Sequence, residues 1–445
     1  MNDDNWNVSA SNRPDYRNWF ENSALVLPAI HSSYMNYSGK PDVNSKLIEL
    51  GYRAFGSFNF LCEDGLYLYD AALYSAGGAE LDIEKSKKQT PGIWDRRKDT
   101  TLLTDSGGFQ VIQGIWSPKE YYEKRHQILA WQEEIGDVAI AMDVPTGCVG
   151  SEKAKSIETF DEALDWSKNN FEWQVKNRHP AKSRMLNVVQ GLSVSGKNGV
   201  MRWYDEVKSF SDRSIWGDNA FDGWSFGGFA RDTKAALPLI SRMLQDGLLS
   251  KNSNHRWIHF LGVTSYERVA TFTLLQRALR KVLADDQFTI SCDSSNATFA
   301  VGKAGTYYTD ARDKIATRKV LTARWFQPTC GKDCRTNCSE SNPLCGPCLT
   351  DRIYQMIEMF GTSTLNFHMS LDMVFELVNF DDNSSGRLSP VGYLSYMFIS
   401  MEMFLRHVYR RSNEIVAAKE GLVDQLVAAF KSETPESALA KIKLA

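Results

Sequence analysis

From about residue 100 the chain repeats one pattern: a short apolar run that stops at Gly, Asp or Gln, then an amphipathic stretch. The runs end in TLLTDSGG, DVAIAMDVPT, RMLNVVQG, GWSFGG, WIHFLGV and FTISCDSS. With Asp105, Asp143, Gln190, Gly227, Gly262 and Asp293 as markers, the successive steps are 38, 47, 37, 35 and 31 residues. Steps of that size suit strand-helix units, some with a loop insertion. The intervening stretches carry the helical period. Across 153–175, Ile157, Phe160, Leu164, Phe171 and Val175 recur at three-, four- and seven-residue steps and line one apolar stripe.

Six such units leave room upstream for two more strands, in ALVLPAI (24–30) and around FNFLC (58–62). The pattern therefore predicts an α/β fold, a (β/α)8 TIM barrel, over an open sheet. In a barrel the polar residues at strand C-termini converge on one mouth, which gathers Asp105, Asp143, Gln190, Gly227 and Asp293 around one cavity. After residue 325 the rhythm breaks into a Cys-rich, turn-rich segment. Helical patterns follow, including 395–418 with Arg406, Arg410 and Arg411 along it. We divide the chain into a barrel catalytic domain (1–325), a zinc-binding Cys/His insertion (326–385) and C-terminal helices that pack on the barrel (386–445).

Composition changes this picture little. Hydrophobic residues make up 43% and charged residues 24%, which excludes a disordered chain and suits a large core. No apolar run is long enough to span a bilayer, and the N-terminus has no basic stretch followed by an apolar one, so the expectation is a soluble, cytoplasmic protein without membrane contact. A net charge of −3 excludes a chain built throughout as a polyanion binder. Two local segments differ. Lys85, Lys87, Lys88, Arg96, Arg97 and Lys98 surround Trp94, and 312–324 adds five basic residues against one acid. Each reads equally well as a grip on a phosphate backbone or as a solvated surface loop.

Five of the eight cysteines, Cys330, Cys334, Cys338, Cys345 and Cys348, fall in one short window. Without a secretion signal, such clustering points to metal rather than disulfides. Cys345 and Cys348 form a C-x2-C pair, with His368 20 residues beyond Cys348. Thiolates with an imidazole suit a tetrahedral structural Zn2+ site. Cys338 closes the shortest loop as the fourth ligand, with Cys334 and Cys330 as alternatives. A zinc deaminase needs a nearby H-x-E, and none of the seven histidines lies in one.

Asp105 and Asp293 are the candidate catalytic pair: one carboxylate attacks a sugar carbon while the other manages the proton of the leaving group. Asp143 and Gln190 offer hydrogen-bonding edges that match a guanine-like base, and Phe109 offers a face for stacking. Gly107, Gly108, Gly227 and Gly228 let backbone come close. Any one strand-end aspartate is more often a helix cap or turn residue, but a set in phase with the strand rhythm is not. The segment 223-GWSFG-227 also matches the nucleophile elbow of serine hydrolases. Its upstream residues, WGDNAFDG, are turn-rich rather than a buried strand, so WSFGG reads as the strand itself.

These residues resemble the guanine-exchanging transglycosylases that insert 7-deazaguanines into nucleic acid, the tRNA-guanine transglycosylase family. The resemblance spans Leu102 to His368 and rests on TDSGGFQV, followed in order by MDVPT, VVQG, FGGFA, FLGV, a C-D-S strand end and the Cys/His site. It implies that Asp293 is the nucleophile and Asp105 the general acid/base. Ser106, Asp143, Gln190 and Gly228 would recognise the base, with Gly227 beside them and Phe109 stacked on it. Cys338, Cys345, Cys348 and His368 would hold the zinc.

Departures from the family pattern narrow the substrate. Asp143-Val144-Pro145-Thr146 stands where the bacterial tRNA enzymes have D-E-C-T-P. Those enzymes also carry a glutamate after G-G-L-A for an aminomethyl cation, whereas here Gly227-Gly228-Phe229-Ala230 runs into Arg231-Asp232. A neutral nitrile base, 7-cyano-7-deazaguanine (preQ0), needs no counter-charge, and Asp232 is the residue that tests this. The P-T-R after the nucleophile is replaced by Ser294-Ser295-Asn296-Ala297, and the compact zinc motif by a longer loop. The chain therefore looks most like the DNA-directed branch, which exchanges guanine in DNA within a modification system. Action on tRNA, or a non-catalytic binding subunit, are the alternatives. The resemblance also allows a homodimer or a partner protein of the modification system.

Overall fold

Each apolar run marked from residue 101 onward is a strand. The computed structural model describes residues 14–17, 22–154, 157–250, 255–263, 265–311, 314–319, 360–368 and 389–442, with isolated positions between 354 and 373. Eight strands form one sheet: β1 Leu25–Pro28, β2 Ala71–Ser75, β3 Thr101–Asp105, β4 Val138–Ile140, β5 Arg184–Val189, β6 Gly223–Phe226, β7 Trp257–Phe260 and β8 Thr289–Ser294. All neighbouring pairs are parallel, in the order β1-β8-β7-β6-β5-β4-β3-β2. Helices follow the strands and cover the outside, so the strands are buried on both faces and read as nearly unbroken apolar runs. The fold is an α/β, TIM-like barrel.

Closure at the seam is narrow. β1 and β2 meet through a single parallel bridge, Ala29 to Leu73, beside which the Ile30 N–H donates to the Leu73 carbonyl at 2.9 Å. Further down β1, side chains replace the ladder. The Val26 N–H donates to the Tyr409 hydroxyl at 2.9 Å, and the Val26 carbonyl accepts from the Tyr69 hydroxyl at 2.5 Å. Two phenols thus satisfy buried backbone groups that have no strand partner.

The strand expected at FNFLC is not there. Residues Ala54–Phe58 form a 3-10 helix, and the second strand is Ala71–Ser75. Asn59 explains the difference. Its side-chain oxygen accepts from the Leu61 N–H at 3.1 Å and its amide donates to the Gly92 carbonyl at 2.6 Å, which turns the chain at the centre of the aromatic run. Phe58 and Phe60 are buried as packing against Phe398 and Tyr67 rather than as ladder residues. The 153–175 helix also starts later, at Phe160, where Thr159 and Glu162 form a capping box. Ile157 is buried just ahead of it.

After β8, strands Thr306–Ala311 and Lys314–Lys319 pair as an antiparallel hairpin, so part of the second basic segment is strand. The long helix Pro390–Ala418 begins at a Ser389 cap and packs along helix Tyr266–Leu283. Its buried Glu402 accepts from the Tyr16 hydroxyl at 2.8 Å and the Thr364 N–H at 2.7 Å, tying the 360–368 segment and the N-terminal end to the barrel wall. Among the described residues no helix is long and apolar enough to cross a membrane.

At the N-terminal ends of the strands, arginines are consumed internally. Arg97 pairs with Asp70 at 2.5 Å, Arg96 with Asp137 at 3.0 Å, Arg178 with Asp222 at 2.6 Å and Arg256 with Asp285 at 3.0 Å. Arg96 and Arg97 of the first basic segment therefore close the bottom of the barrel. Trp94 is likewise engaged: its indole N–H donates to Ser86 at 3.2 Å. Within 85–98, Arg96 and Arg97 are therefore committed to acids at the N-terminal strand ends, and the reading of this segment as a phosphate grip rests on its lysines.

Candidate active site

Strand β3 ends in Asp105 and β8 carries Asp293, so both carboxylates face the C-terminal mouth. Their surroundings differ. Asp105 Oδ2 accepts from the Ser75 hydroxyl at 2.8 Å and the Gly107 N–H at 3.3 Å, and Gly107 adopts φ +91°, a left-handed turn that favours glycine. Burial pushes the Asp105 carboxyl above the usual carboxylate range, and the nearby charge of Asp293 adds to that against the lowering hydrogen bonds. Asp293 Oδ1 accepts from the Gly262 N–H at 2.6 Å and lies 3.3 Å from Nε2 of His259. Its Oδ2 has no hydrogen-bond partner among the described residues.

A second cluster lies on the adjoining strand ends. The Gln190 amide donates to Asp143 Oδ2 at 2.5 Å, while its oxygen accepts from the Thr146 hydroxyl at 3.0 Å and the Thr146 N–H at 3.2 Å. Burial raises the Asp143 carboxyl to about 7, against the lowering bond from Gln190. The glycines make this packing fit. A Cβ on Gly227 would lie 2.7 Å from Gln190 Nε2, and one on Gly228, at φ +50°, would lie 2.7 Å from the Thr146 hydroxyl. Gly227 and Gly228 therefore admit neighbouring side chains, where the sequence suggested close approach of backbone to a ligand.

The other expected residues divide. Phe109, in the first turn of helix Gly108–Ile112, is 60% exposed at the mouth and free to stack. Ser106 is wholly buried; its hydroxyl accepts from Tyr121 at 2.8 Å, so the side chain serves the wall of the site. Asp232 caps helix Thr233–Gln245 by accepting the Lys234 N–H at 2.9 Å. Ser225 of the G-x-S-x-G match lies buried inside β6, which removes the elbow reading.

Cys338, Cys345 and Cys348 lie outside the described residues, as do Cys330 and Cys334. His368 is described: it follows helix Thr364–Phe367, and its carbonyl accepts from the Tyr52 hydroxyl at 3.1 Å. Among the described residues, which do not include these cysteines, no three His, Cys, Asp or Glu side chains gather as metal ligands.

Sequence reasoning missed His259, Ser75 and Thr146. His259 carried a signal: on β7 it stands in register with Ser291 of β8, two residues before Asp293. With the period-two alternation of strands, this puts the ring on the same face as the carboxylate. Compared with known proteins, the chain matches no protein-family model and no curated sequence.

Proposed function

We propose that this chain is a base-exchange transglycosylase, a pentosyltransferase that replaces guanine in DNA with a 7-deazaguanine, preferentially 7-cyano-7-deazaguanine, within a DNA modification system. The observation that carries this reading is the pair Asp105 and Asp293 on one barrel mouth, in unlike surroundings. Two groups whose environments set them apart divide acid and nucleophile roles between them. Asp293 Oδ2 attacks C1′ of the target nucleoside. As the bond from C1′ to the base nitrogen breaks, Asp105, whose carboxyl burial pushes above the usual carboxylate range, gives its proton to the departing guanine. The incoming base returns a proton to Asp105 and attacks C1′, and the ester to Asp293 breaks. Two inversions give net retention at the sugar.

Asp143 and the free N–H of the Gln190 amide supply an acceptor and a donor for a guanine edge, and Phe109 supplies a ring face. Asp232 is engaged as a helix cap, which supports a neutral rather than a cationic incoming base. Three thiolates and the His368 imidazole form a donor set that fits zinc, and when bound the ion would stabilise the 326–385 segment. On duplex DNA the target must leave the stack, at a cost of a few kcal/mol that pocket contacts offset.

The test is incorporation of labelled 7-cyano-7-deazaguanine, and separately guanine, into plasmid DNA and bulk tRNA by the purified protein, with Asp293→Asn as control. Label in DNA that vanishes in the variant is expected. Label confined to tRNA overturns the choice of target and keeps the chemistry. Label in neither overturns the enzyme in favour of a binding subunit.

A further inference from the structure

His259 is wholly buried, and its Nε2 lies 3.3 Å from Asp293 Oδ1 without completing a hydrogen bond to it or to any other group among the described residues. A buried ring nitrogen left this way is costly unless it serves a neighbour. The other nitrogen decides its tautomer. Nδ1 lies 2.8 Å from the Ser291 hydroxyl, which accepts from the Trp257 indole N–H at 2.7 Å. An indole N–H only donates, so the Ser291 oxygen already has its donor and its own hydrogen needs an acceptor. Nδ1 is the one acceptor within its reach among the described residues. Nδ1 is therefore bare, and in the neutral ring the proton is on Nε2, facing Asp293.

Resting on the transglycosylase reading above, we infer that His259 is a positioning residue for the nucleophile, fixed as the Nε2–H tautomer by the Trp257-Ser291 pair. The Gly262 N–H donates to Asp293 Oδ1, and His259 Nε2–H stands 3.3 Å from the same oxygen, a small ring rotation from donating to it, which leaves Oδ2 as the attacking oxygen. Once the ester forms through Oδ2, Oδ1 is its carbonyl oxygen. In the second displacement the C1′–Oδ2 bond breaks, its electron pair returns to the carboxylate, and the two N–H groups meet the charge that develops on Oδ1. His259 itself neither gains nor loses a proton. Its contribution falls on release of the sugar from Asp293 more than on binding of either base.

The experiment compares His259→Leu, His259→Gln and Ser291→Ala with the full-length protein in the plasmid exchange assay, reading kcat, KM for the base and the fraction of protein trapped as a covalent adduct on denaturing gels. His259→Leu lowers kcat by about 10- to 100-fold, from loss of one donor to a charged oxygen, with KM little changed and the adduct more abundant. His259→Gln, which carries an N–H to a similar reach, recovers most of kcat. Equal loss in the Leu and Gln variants, or loss in neither, overturns the inference. Nitrogen NMR of histidine-labelled wild-type protein reads the tautomer without reference to activity: a bare Nδ1 is expected, and a protonated Nδ1 overturns the proposal. Ser291→Ala retains the ring and its volume, so it decides the point if the Leu variant does not fold; there the tautomer becomes mixed and kcat falls, and an unchanged spectrum overturns the proposal. Wild-type protein that exchanges no base fails the transglycosylase reading and leaves the tautomer measurement to judge the geometry alone.

Discussion

The two ends of this barrel use the same acid for opposite purposes. At the N-terminal ends, Asp70, Asp137, Asp222 and Asp285 each face an arginine, at 2.5 to 3.0 Å. At the C-terminal ends, Asp105, Asp143 and Asp293 have no lysine or arginine partner among the described residues; hydroxyls and amides hold them, with one imidazole 3.3 Å from Asp293. An arginine never gives up its proton, so a carboxylate locked to one keeps a permanent counter-charge and a fixed position and contributes to the fold. A carboxylate held by neutral donors keeps a free oxygen or a mobile proton. On the transglycosylase reading, the partner, more than the aspartate, separates structural from catalytic acids, in line with the division of labour between the two faces of a barrel.

The sharpest way to break this comparison is to cut one acid at each end. Asp293→Asn keeps an acceptor for the Gly262 N–H, so folding should survive while base exchange falls by at least about 1,000-fold through loss of the nucleophile. Asp222→Ala should do the reverse. It leaves the wholly buried Arg178 unpaired and the Met185 N–H without its acceptor, and costs on the order of 3–5 kcal/mol by urea unfolding, with kcat per folded molecule unchanged. A catalytic defect in the folded Asp222→Ala protein, or a large stability loss in Asp293→Asn, would erase the distinction.

Asp143 sharpens the comparison through pH. Its folded-state value of about 7 lies above that of an aspartate in the unfolded chain. The stability it contributes is therefore fully present below about pH 4 and is lost as pH rises through 7, roughly 4 kcal/mol at most. Asp143→Asn should be more stable than wild type at pH 8, with the gain gone near pH 4, and should bind guanine more weakly. The same substitution at Asp222 should destabilise at pH 8. Unfolding curves at the two pH values check both.

A smaller effect follows from the glycines. Gly227→Ala pushes a methyl to within 2.7 Å of Gln190 Nε2. The amide must move, at a cost of about 1–3 kcal/mol as overpacking, and because Gln190 joins Thr146 to Asp143, guanine affinity should drop with it. Wild-type affinity in a folded Gly227→Ala protein would show that the cluster is only structural.

The mouth was legible in the sequence to the extent that strands announced it. Asp105, Asp143, Gln190 and Asp293 stood out because each terminates an apolar run, and burial of a parallel strand on both faces makes that boundary sharp. β2 escaped because its five residues, AALYS, are short and small, while the aromatic FNFLC beside it imitated a strand until Asn59 turned it. His259 escaped for a related reason: inside WIHF it reads as a core histidine, and only the register with Ser291 reveals what its nitrogens face. The pairing of the bottom arginines was hidden because a basic run shows charge but not the acids that a closed barrel brings to it from other strands.

Phe109 gives the mildest test of the open end. Its ring is 60% exposed, on a helix turn held by Gly107 and Gly108 rather than by the ring itself. Removing it should change stability by no more than about 0.5 kcal/mol, as for other surface side chains. Stacking of a base on an aromatic face contributes about 1–3 kcal/mol, so Phe109→Ala should raise KM for the incoming base by roughly tenfold and leave the Asp293 adduct able to form. Phe109→Tyr, which keeps the face, should behave as wild type. A stability loss above 1 kcal/mol in Phe109→Ala, with KM unchanged, would assign the ring to packing and leave the open end without a stacking surface at that position.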